Sequence, residues 1–140
     1  MAPVLAYRLN AAVRRRATWV QLAKFGLIGG SGYVINLAVF SLLAGDLGLH
    51  HSLAAIGAFG VAVTNNFLWN RYWTFGPGNG PARFQAARFF VVSLASLGLN
   101  LAVLELLVSS RSIGQLGAQG IAVAVAMPFN FLGNKLWTFA

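Results

Sequence analysis

The sequence predicts an all-α membrane protein of four transmembrane helices, arranged as a tandem repeat of two helical hairpins. Three observations carry this. Of the 140 residues, 58% are hydrophobic and 9% charged, with a mean hydropathy of +0.71. Soluble domains carry about 25% charged residues, and so short a chain cannot hide that much apolar surface in one aqueous core. Four runs, residues 25–45, 47–70, 89–104 and 112–134, contain no Asp, Glu, Lys or Arg. Finally, the sequence superimposes on itself at a gapless offset of 64 residues, which lays Phe25 on Phe89 and Phe75 on Phe139.

Three of the runs approach or exceed the roughly 20 residues that span a bilayer as a helix. The third reaches that length if Glu105 lies near a membrane face. Backbone amides in lipid bond internally, which favours helices. The short alternating segments of an outer-membrane barrel are not seen. The expected layout is an interfacial N-terminal segment (1–21), a first hairpin (22–75), a loop (76–84) and a second hairpin (85–140). Within the first segment, residues 6–21 interleave apolar residues with arginine and read either as an amphipathic helix on the cytoplasmic leaflet or as a basic tail. Arg14, Arg15 and Arg16 precede the first run as they would in an export leader. A leader's apolar core has only about 7–15 residues, and three more runs follow here, so the first run is expected to be retained.

The repeat sets the topology. Between residues 21–75 and 85–139, about 20 of 55 pairs are identical. They include Asn36 with Asn100, Asn66 with Asn130, Asn70 with Asn134 and Trp73 with Trp137. Two spans per copy make the copies enter the membrane in the same direction, as parallel repeats. Nine of the ten basic residues fall before the first run, between the second and third, or at the end of the fourth; only Arg111 lies on the other side. This positive-inside bias places both termini and the middle loop in the cytoplasm. The loop Gly-Pro-Gly-Asn-Gly-Pro at 76–81 reads as a flexible joint.

The net charge of +8 would point to nucleic acid in a soluble protein. Here the cations end apolar runs, so topology and anionic lipid account for them and no nucleic-acid partner is expected. There is no cysteine. No carboxylate pair, nucleophile set or metal-ligand spacing is present; no enzymatic activity, cofactor or metal is expected, and His50 and His51 read as solvated in an outer turn.

The polar groups that remain are concentrated. Asn66, Asn70 and Trp73 are spaced i, i+4, i+7, as are Asn130, Asn134 and Trp137, so each triplet is expected on one helical face. Arg71 and Lys135 adjoin these faces, while Lys24 and Arg88 begin the first and third helices at the same level. Cations beside amide donors suit a phosphate or pyrophosphate. The same residues also suit stop signals, an interfacial tryptophan belt and interhelical amide contacts. Asn36 and Asn100 lie twelve residues beyond Lys24 and Arg88, roughly 18 Å deeper along a helix. There they serve either as interhelical contacts or as a polar waypoint for a head group crossing the membrane. Glu105 lies near the outer end of the third helix and is expected to pair with Arg111. Gly26 and Gly30 form a GxxxG spacing that permits close helix contact. Pro128 is expected to kink the fourth helix and free a carbonyl beside Asn130.

Four spans, an Asn at the centre of helix 1 and an N-x-x-x-N-x-x-W-T-F ending on both hairpins resemble the GtrA-like family. That ending is Asn66, Asn70, Trp73, Thr74, Phe75 and again Asn130, Asn134, Trp137, Thr138, Phe139. The resemblance covers residues 21–139. It implies a part in cell-surface polysaccharide synthesis: moving a polyprenyl-phosphate-linked monosaccharide across the bacterial inner membrane for a membrane glycosyltransferase. On that reading Lys24, Arg71, Arg88 and Lys135 attract the lipid phosphate. Asn66, Asn70, Asn130 and Asn134 bond phosphate or sugar hydroxyls, and Asn36 and Asn100 ease the head group through mid-membrane. Four short helices enclose little volume, an argument for a homodimer. Two rivals stand beside it. A scaffold would bind the lipid phosphate, or hold the glycosyltransferase, without flipping. A small multidrug exporter needs a Glu in helix 1, and helix 1 has no acid. Repeat 2 departs from repeat 1 in carrying Gly133 for Trp69 and Leu136 for Tyr72.

Overall fold

A computed structural model describes all residues except Asn79 and Ser112. The expected start of the fourth run at Ser112 and the centre of the 76–81 loop at Asn79 lie outside the described residues. Among those described, regular structure is helical throughout, and four helices are long and apolar enough to cross a membrane: Arg16–Asp46, His51–Thr74, Ala82–Ser109 and Gln115–Thr138. The chain divides into two compact units, Met1–Phe75 and Gly76–Ala140.

In the first unit, α1 (Ala2–Arg14) is separated from α2 (Arg16–Ser41) by Arg15, whose backbone is extended at φ −87°, ψ 126°. Residues 6–21 are therefore not one helix: the break at Arg15 assigns 16–21 to the start of the first span. Trp19 Nε1 donates to the Val13 carbonyl at 2.9 Å and ties α1 to α2 across that break. Helix α2 widens into a π-turn at Leu42–Asp46, and Gly48 supplies the positive φ of 65° that reverses the chain. His50 Nδ1 then accepts from the Ser52 amide at 3.3 Å and caps α3 (His51–Trp69), which ends in a second π-turn, Asn70–Thr74.

The second unit holds α4 (Ala82–Ser109) and α5 (Gln115–Gly133), the latter ending in a π-turn at Asn134–Thr138. Gly76 and Gly78 have positive φ, and Gln85, buried beneath the loop, donates from Nε2 to the Pro77 carbonyl at 2.9 Å. Pro77, near the start of the expected joint, is thus bonded to the first turn of α4. Helix α5 runs unbroken through Pro128. The carbonyl that loses its partner there is four residues back, at Ala124, and not beside Asn130.

Each hairpin closes on a single stripe with one interval. Through α3 and its π-turn it runs Ala54, Ala58, Ala62, Asn66, Asn70, Thr74; through α5 and its π-turn it runs Ala118, Ala122, Ala126, Asn130, Asn134, Thr138. Residues four apart share a helix face, and alanine lets two helix backbones approach closely in an apolar solvent. Ala54, Ala58, Ala118 and Ala122 are fully buried. The facing residues are Phe25, Ile28 and Gly32 on α2, and Phe89, Val92 and Ser96 on α4. The close approach belongs to Gly32, where an added Cβ would fall 2.7 Å from Asn66 Nδ2. Gly30 of the GxxxG pair has nothing within 4 Å of such a Cβ, so within its hairpin it makes no close helix contact. Its partner Gly26 is half-buried.

Candidate functional site

The end of each hairpin away from its turn is basic, because the two acidic side chains, Asp46 and Glu105, lie near the turns. Glu105 and Arg111 are both exposed and, among the described residues, are not joined by an ion pair. Arg111 takes a left-handed φ of 55° as the chain leaves α4.

At the basic end the N-x-x-x-N-x-x-W-T-F motif acts as a helix-terminating device. Asn70 Nδ2 donates to the Asn66 carbonyl at 2.9 Å, and Asn134 Nδ2 to the Asn130 carbonyl at 2.9 Å. From the second Asn the helix widens to i→i+5 bonding, with Phe75 N–H donating to the Asn70 carbonyl and Phe139 N–H to the Asn134 carbonyl, each at 2.9 Å. The widening leaves the Trp carbonyl without a partner in its own helix. The facing helix supplies one: Lys24 Nζ donates to the Trp73 carbonyl at 3.5 Å, and Arg88 Nη1 to the Trp137 carbonyl at 3.4 Å. Both cations also lie over the indole rings, 5.0 Å and 5.5 Å from their centroids. A cation at a helix C-terminus is stabilised by the dipole as well. The motif's last residue locks the end, with Phe75 meeting Phe25 at 6.3 Å and Phe139 meeting Phe89 at 6.2 Å between ring centroids.

This geometry revises the expected faces. In the π-turn the i+4 position stays under the second Asn while i+3 swings away. Thr74 and Thr138 are accordingly buried beside Asn70 and Asn134, whereas Trp73 and Trp137 are nearly half exposed. Asn70 is 1% exposed and Asn134 0%. Their amides bond within their own helices and do not face outward as ligand donors. Asn66 and Asn130 are partly buried just inside them. The hairpins differ in how this core is satisfied. In the second, Asn134 Nδ2 also reaches Asn130 Oδ1 and Thr138 Oγ1 donates to Asn134 Oδ1, both at 2.8 Å. In the first, Asn66 Oδ1, Asn70 Oδ1 and Thr74 Oγ1 are buried with no hydrogen-bond partner.

Of the remaining expected residues, the Arg71 guanidinium lies 5.5 Å from the Tyr72 ring centroid, and Lys135 is half-buried at the matching position. Asn36 and Asn100 are half-buried in the middle of α2 and α4, removed from the basic ends. Sequence reasoning missed Gln85, Thr74 and Thr138. The identity of both Thr residues at the 64-residue offset was the available signal.

In the first hairpin a cleft lies beside the cation. Leu27, Ile28 and Ser31 of α2, with Trp69 and Trp73, line an open, largely apolar groove of about 240 Å³. Lys24 stands one turn before Leu27 and over the Trp73 ring, at the groove's basic end. At the corresponding place in the second hairpin Gly133 replaces Trp69, and Val92 lies directly over it: a Cβ on Gly133 would fall 2.8 Å from Val92 Cγ1.

A cation held at a helix end above apolar and aromatic surface suits an amphiphile with an anionic head. Residues 24–139 match a family described as GtrA/DPMS, transmembrane domain. The chain is 27% identical over 118 residues to the membrane protein YngA of Bacillus subtilis, covering 84% of this chain and 78% of that protein. It is also 27% identical over 121 residues to a dolichol-phosphate mannosyltransferase of Pyrococcus furiosus, covering 86% of this chain but only 34% of the enzyme. With four spanning helices and a family match over most of its length, this chain is a multi-pass membrane protein that belongs to the GtrA/DPMS transmembrane-domain family.

Proposed function

We propose that the protein moves a polyprenyl-phosphate-linked monosaccharide across the bacterial inner membrane, with its termini and basic ends in the cytoplasm. The observation that carries this reading is the cation fastened over a tryptophan at the end of each hairpin. Lys24 and Arg88 are held at fixed positions there, each at the opposite end of its hairpin from that hairpin's acidic side chain and next to apolar surface, where a lipid phosphate and its tail separate naturally. Arg71 and Lys135 add positive charge at the same ends of the two hairpins. Asn36 and Asn100 are polar steps deeper in the span. The buried Asn66–Asn70 and Asn130–Asn134 pairs hold the helix ends in shape. The protein performs no bond chemistry itself; a partner glycosyltransferase uses the sugar, transport follows the gradient of lipid-linked sugar, and the working form is a homodimer. Anionic lipids engage the arginines around α1.

The test is a leaflet-sidedness assay on proteoliposomes holding a polyprenyl-phosphate sugar. Lys24→Gln with Arg88→Gln is expected to cut movement at least about tenfold, the equivalent of 1.4 kcal/mol, while the protein still inserts. Full transport by this double variant would defeat the proposal. One observation favours a second reading, in which the chain binds the lipid phosphate and holds a glycosyltransferase without flipping. The mannosyltransferase relative extends well beyond the matched third of its length, as a membrane anchor joined to a catalytic part would. Lipid-phosphate binding by purified protein with no change of leaflet would select that reading.

A further inference from the structure

We infer that the two hairpins are not equivalent, and that the first alone seats the isoprenoid phosphate: Lys24 holds the phosphate, and the groove between α2 and the Trp69–Trp73 pair holds the adjoining isoprene units. This rests on the proposed function and assigns its lipid subsite. Lys24, Leu27 and Ser31 follow one another at three- and four-residue spacings, so they share a face of α2. The ammonium therefore stands in line with the groove at its basic end. Its bond to the Trp73 carbonyl is long, at 3.5 Å, and an ammonium has three donors, so phosphate oxygens can be bonded without giving up that anchor. Lysine serves well as a point charge for phosphate.

The groove has the right kind of wall. Its lining is apolar except for Ser31, whose hydroxyl is turned back onto the Ile28 carbonyl at 2.7 Å. Trp69 and Trp73 stand edge to face, centroids 6.2 Å apart, and present broad aromatic surface. About 240 Å³ is less than the roughly 300–1,000 Å³ of a cleft that encloses a whole drug-sized ligand. It suits a short length of chain next to the phosphate, with the rest of the tail in lipid. Lipid acyl chains are as apolar as the groove, so selection comes from the anchored charge and from the fit of a branched chain between α2 and the two indoles.

The second hairpin has the cation without the groove's far wall. Arg88 lies over Trp137 as Lys24 lies over Trp73. Gly133, however, stands where Trp69 would form the far wall, and Val92 lies on it. One wall is missing and the space beside it is taken.

The experiment uses the purified full chain in detergent micelles carrying Trp19→Phe and Trp137→Phe, so that Trp69 and Trp73 report alone. Farnesyl phosphate is titrated against their fluorescence, with farnesol and dodecyl phosphate as comparisons, and binding is also measured by native mass spectrometry, which alone compares the two variants below that add a tryptophan. Farnesyl phosphate is expected to bind at least about tenfold more tightly than either comparison. Ser31→Trp fills the groove from an exposed position and is expected to weaken binding at least about tenfold. Ala95→Trp, the matching change in the second hairpin, is expected to shift it less than about twofold. Lys24→Gln is expected to lose binding and Lys24→Arg to recover most of it, with helix content unchanged in both. If the unsubstituted chain binds farnesyl phosphate but Ser31→Trp and Ala95→Trp behave alike, the assignment to the first hairpin is wrong and the proposed function survives. If the unsubstituted chain binds no isoprenoid phosphate by either readout, both fall.

Discussion

Thr74 and Thr138 occupy matching positions, yet replacing each with valine should have opposite consequences. Both are buried, at 5% and 1% exposure, and both end their stripe. Thr138 Oγ1 donates to Asn134 Oδ1 at 2.8 Å, inside a core where Asn134 has no exposed surface. Thr138→Val keeps the branched shape and strands that oxygen. A buried polar atom left without its partner costs about 1–3 kcal/mol, and side-chain hydrogen bonds in membrane helices average about 0.6 kcal/mol with a ceiling near 1.7. A loss of about 1 kcal/mol is therefore expected. Thr74 Oγ1 is buried with no partner, so Thr74→Val removes an unmet hydroxyl and should be neutral or stabilising by up to about 1 kcal/mol. The two variants should then differ by about 1–2 kcal/mol, roughly a 5- to 30-fold difference in the folded ratio. Reversible unfolding in mixed micelles titrated with dodecyl sulfate, followed by circular dichroism, measures this directly. Equal destabilisation by both changes, or a silent Thr138→Val, would refute the reasoning.

Gly133→Ala should destabilise by about 1 kcal/mol in the same assay despite its better helix propensity, because the new methyl meets the stiff Val92 side chain. Gly30→Ala, with open space around its Cβ, should gain up to about 1 kcal/mol. Ala58→Leu and Ala122→Leu each overfill a fully buried contact and should cost about 1–3 kcal/mol or more. Gly60→Leu, with nothing near its Cβ, should cost little. Gln85→Leu orphans the Pro77 carbonyl; a loss of about 1 kcal/mol in the first turn of α4 should speed trypsin cleavage after Arg83 about fivefold, read by timed digestion and mass spectrometry.

The spans were legible because lipid imposes a simple rule, and four charge-free runs obey it. The ends of the apolar runs were less so. Helix α2 begins at Arg16, ahead of its apolar run, because arginine can extend its charge to the interface while its backbone stays helical. The basic end was readable as a place, since Lys24, Asn70, Trp73 and their copies sit there. The duties of its residues were not. Whether an amide faces a ligand or its own helix depends on the π-turns at Asn70 and Asn134, which are main-chain features with no fixed side-chain signature. The alanine stripe was hidden for another reason. In an apolar run Ala54 or Ala118 looks like any lipid-facing residue, while Gly26 and Gly30 stand out by motif and Gly30 is open to its surroundings.

That stripe has a consequence for what this chain can tolerate. Six positions, from Ala54 in α3 to Thr74 in its π-turn, share one interval, and one residue added or removed between them turns everything downstream by about 100°. The alanines would still meet α2, but the asparagines would point into hydrocarbon and Trp73 would carry its carbonyl out of reach of Lys24. Loops and tails can drift in length, whereas the distance from the last alanine to the closing phenylalanine cannot change by even a single codon.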